Sequence, residues 1–319
     1  MASKQQHLIE RAAARLAETQ VTAFQPPRPR PSPEPRRAMP LDLPVDLQPP
    51  RVVVDDEALG ETAARVAAQP ASAPGVTEER QIEPARLAKA GLIREPDSRV
   101  SEEFRIVQNR VLRQSFGDAS TISSGVKNIV MITSALKGEG KSFVSLNLAG
   151  EIARQGDRRV LLIDVDPKPN SLSRILGVAS ARGLLDLARD VRLDVTEIII
   201  PTAAEGLDIA PVGQNDGRSG EVFASRRMGQ IIEEIGRRYA DRLIILDAPP
   251  CLASSTPHAL APVCGQAVLV VAANNTQQSD IEAALDLLQA CPHLSLLLNK
   301  VAAWMTHSFG TYSYLATEA

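Results

Sequence analysis

Short, uninterrupted runs of apolar residues recur along the chain from residue 128 onward, and amphipathic segments separate them. Uninterrupted apolar runs are typical of strands buried on both faces of a parallel sheet. The predicted strands are 129–133, 160–165, 207–211, 243–247, 267–272 and 294–298. The predicted helices are 84–90 and 102–112 ahead of the strands, then 142–155, 220–239 and 279–290 among them. This alternation predicts a doubly wound α/β domain with a mostly parallel sheet, whose ligand lies at the carboxyl ends of the strands.

The first 81 residues follow a different pattern. Residues 1–19 place apolar side chains on one helical face and predict a short amphipathic helix, either a docking helix or a frayed terminal one. Residues 20–81 are rich in proline and alanine and are predicted to form a disordered linker, because proline interrupts helices and central strands. The ordered domain is predicted at 82–301, and a flexible tail at 302–319.

The loop after the first predicted strand carries the strongest chemical signal. Residues 134–142 are Ser-Ala-Leu-Lys-Gly-Glu-Gly-Lys-Ser, and a helix is predicted to begin at their end. Such a glycine-bearing loop ending in Gly-Lys-Ser is typical of phosphate binding, although Ala135 replaces the glycine of the general pattern. Glycines let backbone N–H groups wrap a phosphate, and the lysine reaches the β- and γ-phosphates. The residues predicted to contact the nucleotide here are Lys137, Gly138, Glu139, Gly140, Lys141, Ser142 and Phe143.

Three aspartates stand at the ends of predicted strands. Asp164 and Asp166 lie at the end of the second strand, and Asp247 ends the fourth. Because the carboxyl ends of parallel strands meet at one edge of a sheet, these carboxylates are expected beside the phosphate-binding loop. They would repel a triphosphate unless a cation lay between them, and Mg²⁺ prefers such oxygen ligands. The sequence therefore predicts a P-loop site for ATP with Mg²⁺.

Composition argues against several other classes of protein. The net charge is -3 and aromatic residues make up 3% of the chain, which argues against nucleic-acid binding. The three cysteines, Cys251, Cys264 and Cys291, lack metal-ligand spacing and are expected to be buried in a reducing compartment. No apolar run is long enough to span a bilayer, so no transmembrane segment is predicted.

Together these segments resemble the bacterial tyrosine kinases of capsule and exopolysaccharide synthesis, a branch of the P-loop ATPases with deviant Walker motifs. Residues 134–142 resemble their Walker A motif, 160–166 their Walker A′ motif, and 243–250 their Walker B motif. Residues 102–105, Glu-Glu-Phe-Arg, resemble the start of the helix by which these kinases pack into rings. The resemblance covers about residues 82–300, and the N-terminal part is most similar to the subgroup of exosortase-linked exopolysaccharide clusters.

The resemblance implies an ATP-dependent protein-tyrosine autokinase that regulates exopolysaccharide or capsule synthesis and chain length. Its catalytic residues would be Lys141, Asp164, Asp166 and Asp247. Lys141 would hold the β- and γ-phosphates, and Asp164 would orient the incoming tyrosine hydroxyl or take its proton. Asp166 would support the metal and its water, and the metal ligands would be Ser142, Asp164 and Asp247.

The resemblance also assigns residues near the C-terminus. Asn299 matches the position that contacts adenine in related ATPases, with an ordinary strand-end turn as the alternative interpretation. Tyr312 and Tyr314 are the implied phosphoacceptors, with a tail that is never phosphorylated as the alternative. The third tyrosine, Tyr239, is expected to be structural. Gln108 stands where the ring-forming helix usually has arginine or lysine, a departure that counts against ring formation. A homo-oligomer stays open as a partner of this chain.

Two other functions stay open. The first is a non-kinase ATPase switch whose nucleotide-bound state docks on a membrane polysaccharide copolymerase, the chain-length determinant. The second, a partitioning or septum-placement ATPase, is disfavoured because Leu136 stands where those proteins carry a signature lysine. For the kinase and the switch alike, the implied location is cytoplasmic, at the inner membrane through that copolymerase partner.

Overall fold

The computed structural model describes residues 81–93, 95, 98–117 and 125–301. The predicted helix at 1–19, all but the last residue of the linker at 20–81, and the tail with Tyr312 and Tyr314 lie outside the described residues.

Two helices precede the sheet. Helix α1 spans Pro84–Lys89 and begins with a proline, whose missing N–H costs nothing at this position. Helix α2 spans Arg99–Phe116 and is longer at both ends than predicted. Ser98 caps this helix, since its side chain accepts a hydrogen bond from the Ser101 N–H at 3.2 Å.

Seven strands form one sheet in the order β3-β4-β2-β5-β1-β6-β7. Their bounds are β1 Val126–Ser134, β2 Val160–Asp164, β3 Ile200–Pro201, β4 Leu207–Ala210, β5 Leu243–Asp247, β6 Cys264–Ala272 and β7 Leu294–Asn299. All neighbouring pairs are parallel except β3 and β4. The predicted mostly parallel, doubly wound sheet is therefore confirmed, and the short antiparallel β3 is an addition at one edge.

Helices lie in most of the connections between strands. They comprise α3 Lys141–Gln155, α4 Leu172–Ile175, α5 Leu184–Arg189, α6 Ser219–Phe223, α7 Arg226–Arg238, α8 Thr256–Leu260 and α9 Gln278–Leu288. The prediction of one helix over 220–239 was wrong, because the structure has α6 and α7 there. The Ser225 side chain accepts a hydrogen bond from the Met228 N–H at 3.2 Å and caps the second of them. A serine that bonds the backbone in this way favours a new helix start over a continuous helix.

Helices cover both faces of the sheet. On one face, Leu146 and Leu148 of α3 pack in one core cluster with Val130 of β1. On the other face, residues of α7 and α9, among them Ile232 and Leu288, join a second cluster. The central strands β2 and β5 are buried along their whole length, which fits their uninterrupted apolar sequences.

Strand β7 differs from the prediction of burial on both faces. It lies at the edge of the sheet, and its residues alternate between exposed and half-buried. Leu296 is 58% exposed and Leu298 is 60% exposed. An edge strand has a neighbour on only one side, so an apolar run alone does not ensure burial.

The predictions for the cysteines and for Tyr239 agree with the structure. Cys251, Cys264 and Cys291 are unpaired and buried, as expected. Tyr239 follows the last turn of α7 and is half-buried, which fits a structural role. Within the described ranges, no helix has the length and hydrophobicity needed to cross a membrane.

Candidate nucleotide site

The loop between β1 and α3 has the backbone geometry of an anion site. Gly138 and Gly140 have φ angles of 86° and 101°, in the left-handed region that favours glycine. Gly140 is the N-cap of α3 and makes no side-chain cap, so the first N–H groups of the helix stay available. These N–H groups, with the positive end of the helix dipole, can bind a phosphate.

Lys141 lies among acidic side chains. Its Nζ is 3.0 Å from Asp166 Oδ2 and 3.9 Å from Asp247 Oδ1, and it donates to the Ser142 hydroxyl at 3.1 Å. Burial lowers the pKa of Lys141, but the charges of Asp247 and Asp166 outweigh it, so the pKa is above its usual value. Lys141 therefore stays cationic at neutral pH. Four predicted site residues, from three separate segments, meet here.

Asp247, the last residue of β5, is completely buried. Its Oδ1 accepts a hydrogen bond from the Ser145 hydroxyl at 3.0 Å. Its Oδ2 has no hydrogen-bond partner among the described residues. Burial raises the pKa of Asp247, whereas the charge of Lys141 and the nearby Ser142 hydroxyl lower it. A buried carboxylate oxygen without a partner is costly, and it marks a place where a ligand can bind.

This oxygen fits a magnesium ion or its water. In the described part of the chain, no group of three His, Cys, Asp or Glu side chains could hold a metal ion alone. Mg²⁺ commonly binds through one or two carboxylates, several waters and the phosphates of its nucleotide. Asp247 and the hydroxyl of Ser142 provide protein oxygens of that kind beside the phosphate loop.

Asp164 stands opposite Asp247 on the neighbouring strand β2. Its Oδ1 accepts from the Asp166 N–H at 3.0 Å. Its Oδ2 accepts from the N–H of Ser173 at 2.7 Å and from the hydroxyl of Ser173 at 2.5 Å. Burial and the charge of Asp247 raise the pKa of Asp164 to about 6, against these hydrogen bonds. In this structure the carboxylate fixes the chain that follows β2.

The buried carboxylate of Glu139 holds the phosphate-binding loop through hydrogen bonds. Its side chain is 1% exposed and accepts hydrogen bonds from the Leu136 N–H at 2.6 Å and the Ala272 N–H at 3.3 Å. It also accepts from the Thr276 hydroxyl. The predicted nucleotide contact at Glu139 can therefore involve its backbone, while its carboxylate joins the loop to the end of β6.

Asn299 and Lys300 hold the loop from the end of β7. The Asn299 amide donates to the Glu139 carbonyl at 2.8 Å, and Lys300 Nζ donates to the Gly138 carbonyl at 2.6 Å. A Cβ on Gly140 would overlap the Asn299 amide nitrogen, so this packing needs glycine. The predicted adenine contact at Asn299 is thus beside the loop, with its nitrogen engaged by the loop itself.

The other two predicted nucleotide contacts lie at the surface. Lys137 is exposed at the turn of the loop. Phe143, 37% exposed, has its ring centroid 6.1 Å from that of Phe104 in α2. This contact joins the first turn of α3 to α2.

Three residues that hydrogen-bond to predicted site residues were not predicted from the sequence. Ser145 lies three residues after Ser142 in α3, so the two share a helix face, and this spacing was a usable signal. Ser173 and Thr276 gave no such signal, because the folding that brings them to Asp164 and Glu139 cannot be read from spacing.

Comparison with known proteins gives a matching family model and similar proteins named as tyrosine-protein kinases. The family model described as "AAA domain" matches residues 127–300. The tyrosine-protein kinase YwqD of Bacillus subtilis is 28% identical over 197 residues, covering 62% of this chain and 78% of YwqD. EpsB of Ralstonia nicotianae is 31% identical over 191 residues, covering 60% of this chain. The chain spans only 25% of the length of EpsB.

Solved structures share the fold. The kinase domain of the Escherichia coli tyrosine kinase ETK superposes with a TM-score of 0.52 at 25% identity, covering 66% of this chain and 79% of that domain. The chimerical protein CapA2B2 superposes with a TM-score of 0.57 at 25% identity, covering 67% of this chain and 90% of the chimera.

Proposed function

This chain belongs to the AAA domain family, and from that premise we propose that it is an ATP-dependent protein-tyrosine kinase that phosphorylates its own tail. The observation that carries the proposal is the unpartnered Oδ2 of Asp247 beside Lys141 and Ser142. It supports binding of a nucleotide with its metal ion, and the kinase names of relatives such as YwqD support the transfer to tyrosine.

Each residue of the site has a proposed role. The α3 N-terminus and Lys141 bind the β- and γ-phosphates, and Ser142 with Asp247 holds Mg²⁺. When bound, Mg²⁺ offsets the charge that develops on the phosphate oxygens. Asp166 positions Lys141 through their 3.0 Å contact. Asp164 stays the proposed contact of the tyrosine hydroxyl, with a secondary role at the metal. Such a site works mainly by positioning and electrostatics.

The wider role follows from the same resemblance. We propose that the protein regulates exopolysaccharide or capsule synthesis through a membrane copolymerase, to which the segment at 1–19 can dock. Membership of the exosortase-linked subgroup and a location at the inner membrane are parts of this proposal. The acceptors are Tyr312 and Tyr314.

A second function, the non-kinase ATPase switch, is favoured by two observations. Both oxygens of the buried Asp164 are already hydrogen-bonded, which leaves little capacity to take a proton from tyrosine. Gln108 is 2% exposed and contacts Gln155 of α3, so it packs within the molecule where a ring contact would need a surface residue.

Mass spectrometry of the purified full chain after incubation with ATP and Mg²⁺ separates the two. The kinase predicts phosphate on Tyr312 or Tyr314, its loss in the Tyr312→Phe, Tyr314→Phe double variant, and unchanged ATP hydrolysis in that variant. Hydrolysis without tyrosine phosphate, even with a cytoplasmic segment of the copolymerase added, would reject the kinase and leave the switch. Lys141→Met should abolish both activities.

A further inference from the structure

Strand β7 carries an exposed apolar strip. Leu294, Leu296 and Leu298, called here the outer leucine strip, are 37%, 58% and 60% exposed. They point to the same side of the sheet because side chains alternate along a strand. Full burial of a leucine side chain contributes about 1.5–3 kcal/mol of stability. A segment that covered these three leucines would therefore stabilise the folded chain.

The strip lies beside buried neighbours. Its residues pair in register with Ala267, Leu269 and Val271 of β6, all of which are buried. These residues belong to the same core cluster as Ala284 and Leu288 of α9. Helix α9 therefore packs on β6, whereas the outer leucine strip beside it remains exposed.

Nothing in the sequence of β7 protects it as an edge. Exposed edge strands usually carry charged residues or proline that discourage pairing, and β7 is Leu-Ser-Leu-Leu-Leu-Asn. An uncharged apolar strip at the edge of a sheet indicates a surface that another segment covers.

The chain beyond β7 supplies a candidate for that segment. Residues 302–319 follow the strand directly, and they begin with Ala302-Ala303-Trp304-Met305 and include Phe309. Lys300, between them and β7, has a φ angle of 57°, a left-handed conformation typical of a turn. The Lys300 side chain also holds this point against the loop at Gly138. The chain thus changes direction where the outer leucine strip ends.

The reach of the segment is sufficient. Four residue steps separate Leu294 from Leu298, about 13 Å at the rise of a strand. Eight residues from 302 to 309 span about 26 Å when extended, which allows a turn and a return along the strip. We propose that residues 304–309 of the same chain pack on the outer leucine strip, with Trp304 and Phe309 as the main apolar contacts.

The proposal has one consequence that rests on the proposed function. A segment running back along β7 would place Tyr312 and Tyr314 towards the amino ends of the strands, away from Lys141 of its own chain. Phosphate would then reach these tyrosines from another copy, or after the segment had left the strip.

The fluorescence of Trp304 tests the packing without any need for catalysis. Trp304 is the single tryptophan of the chain, so emission excited at the tryptophan band reports this position alone. We expect blue-shifted emission, poorly quenched by acrylamide, in the full chain without nucleotide. The Leu296→Gln, Leu298→Gln double variant should shift emission to the red and increase quenching. Val191→Gln, at a valine 76% exposed, is the matched control and should behave as the parent.

Three outcomes would overturn the proposal. Emission typical of water in the parent chain would mean that Trp304 is not packed at all. Blue emission that survives the double variant would mean that Trp304 packs elsewhere. Blue emission that turns red on dilution, with a matching change in sedimentation, would mean that a second copy covers the strip. Circular dichroism of the double variant must match the parent, which is expected because the replaced side chains are exposed.

Discussion

The ends of β2 and β5 present the same residue in the same setting and use it differently. Asp164 and Asp247 stand opposite each other on adjacent strands, and both are completely buried. Burial raises the pKa of both carboxyl groups. Both oxygens of Asp164 accept hydrogen bonds from Asp166 and Ser173, whereas one oxygen of Asp247, which faces Lys141, has no partner among the residues that the structure describes. The difference shows that hydrogen-bond occupancy separates an anchoring aspartate from one that can hold a ligand.

The largest effect on ATP hydrolysis should come from replacing Lys141. Its ammonium group contacts Asp166 after β2 and Asp247 at the end of β5. Lys141→Ala should lower kcat/KM for ATP hydrolysis by about 1000-fold, since it removes charged hydrogen bonds and stabilisation of the transition state. Steady-state kinetics measures this, with Lys89→Ala of α1 as a surface control. An unfolded circular dichroism spectrum for Lys141→Ala would instead identify a structural lysine.

Replacing each aspartate in turn tests the comparison directly. Asp247→Asn should lower Mg²⁺-dependent ATP hydrolysis by about 100-fold, because it weakens a proposed metal ligand. Asp164→Asn should lower hydrolysis less. Titration of activity against Mg²⁺ should also show a larger loss of apparent metal affinity for Asp247→Asn than for Asp164→Asn. Equal losses of activity in the two variants would contradict the proposed difference between Asp164 and Asp247.

The effect of Asp164→Asn on stability should change with pH, because only the parent has a carboxyl group that ionises at this position. The pKa of Asp164 is raised to about 6 in the folded chain, against about 3.9 when unfolded. Below about pH 4 the carboxyl is protonated in both states and the shift has no effect. As pH rises to 6 the unfolded state ionises more readily, so the folded state loses stability, by about 3 kcal/mol at most.

Asparagine removes this cost but accepts fewer hydrogen bonds from Asp166 and Ser173. Asp164→Asn should therefore unfold with about 1–2 kcal/mol more free energy at pH 7.5 than the parent, and with no gain near pH 4. Urea denaturation without nucleotide or Mg²⁺ measures the difference. A gain that is the same at both pH values would contradict the role of ionisation.

The smallest effects should come from the two serines behind the aspartates. Ser173 donates to Asp164 and accepts from the buried Val212 N–H at 3.0 Å, so Ser173→Ala leaves two polar groups short of a partner. Ser145 shares its one hydroxyl proton between Asp247 and the Lys141 carbonyl. Thermal unfolding should show Ser173→Ala costing about 1 kcal/mol more than Ser145→Ala. The reverse order would indicate that Asp247 is the anchored residue.

Much of this architecture could be predicted from the sequence because apolar runs report burial. The strands β2 and β5 coincide with uninterrupted runs, and the loop before Lys141 has its own motif. The predictions failed where a capping hydrogen bond or the number of neighbouring strands determines the structure. The break at Ser225 interrupts a continuous helical pattern, and β7 has the same apolar composition as the central strands but only one neighbouring strand.

The candidate site was likewise predicted only in part. Spacing along the chain brought Lys141, Asp166 and Asp247 together correctly, because parallel strands end at one edge. Spacing could not show that Asp164 is enclosed by Ser173, or that Glu139 turns its carboxylate towards β6. Both depend on which donors the folded chain brings within hydrogen-bond distance of each oxygen, and no periodic pattern encodes those donors.

The hydrogen bond from Asn299 to Glu139 has a consequence for the order of synthesis. The two residues are 160 positions apart in the chain. At a synthesis rate of about 5–20 residues per second, Asn299 is added about 8–32 s after Glu139. The loop lacks this hydrogen bond until then. Strand β1, which carries the loop, must likewise wait for β5 and β6 on either side. Nucleotide binding is therefore a property that a nascent chain acquires only near the completion of its sheet.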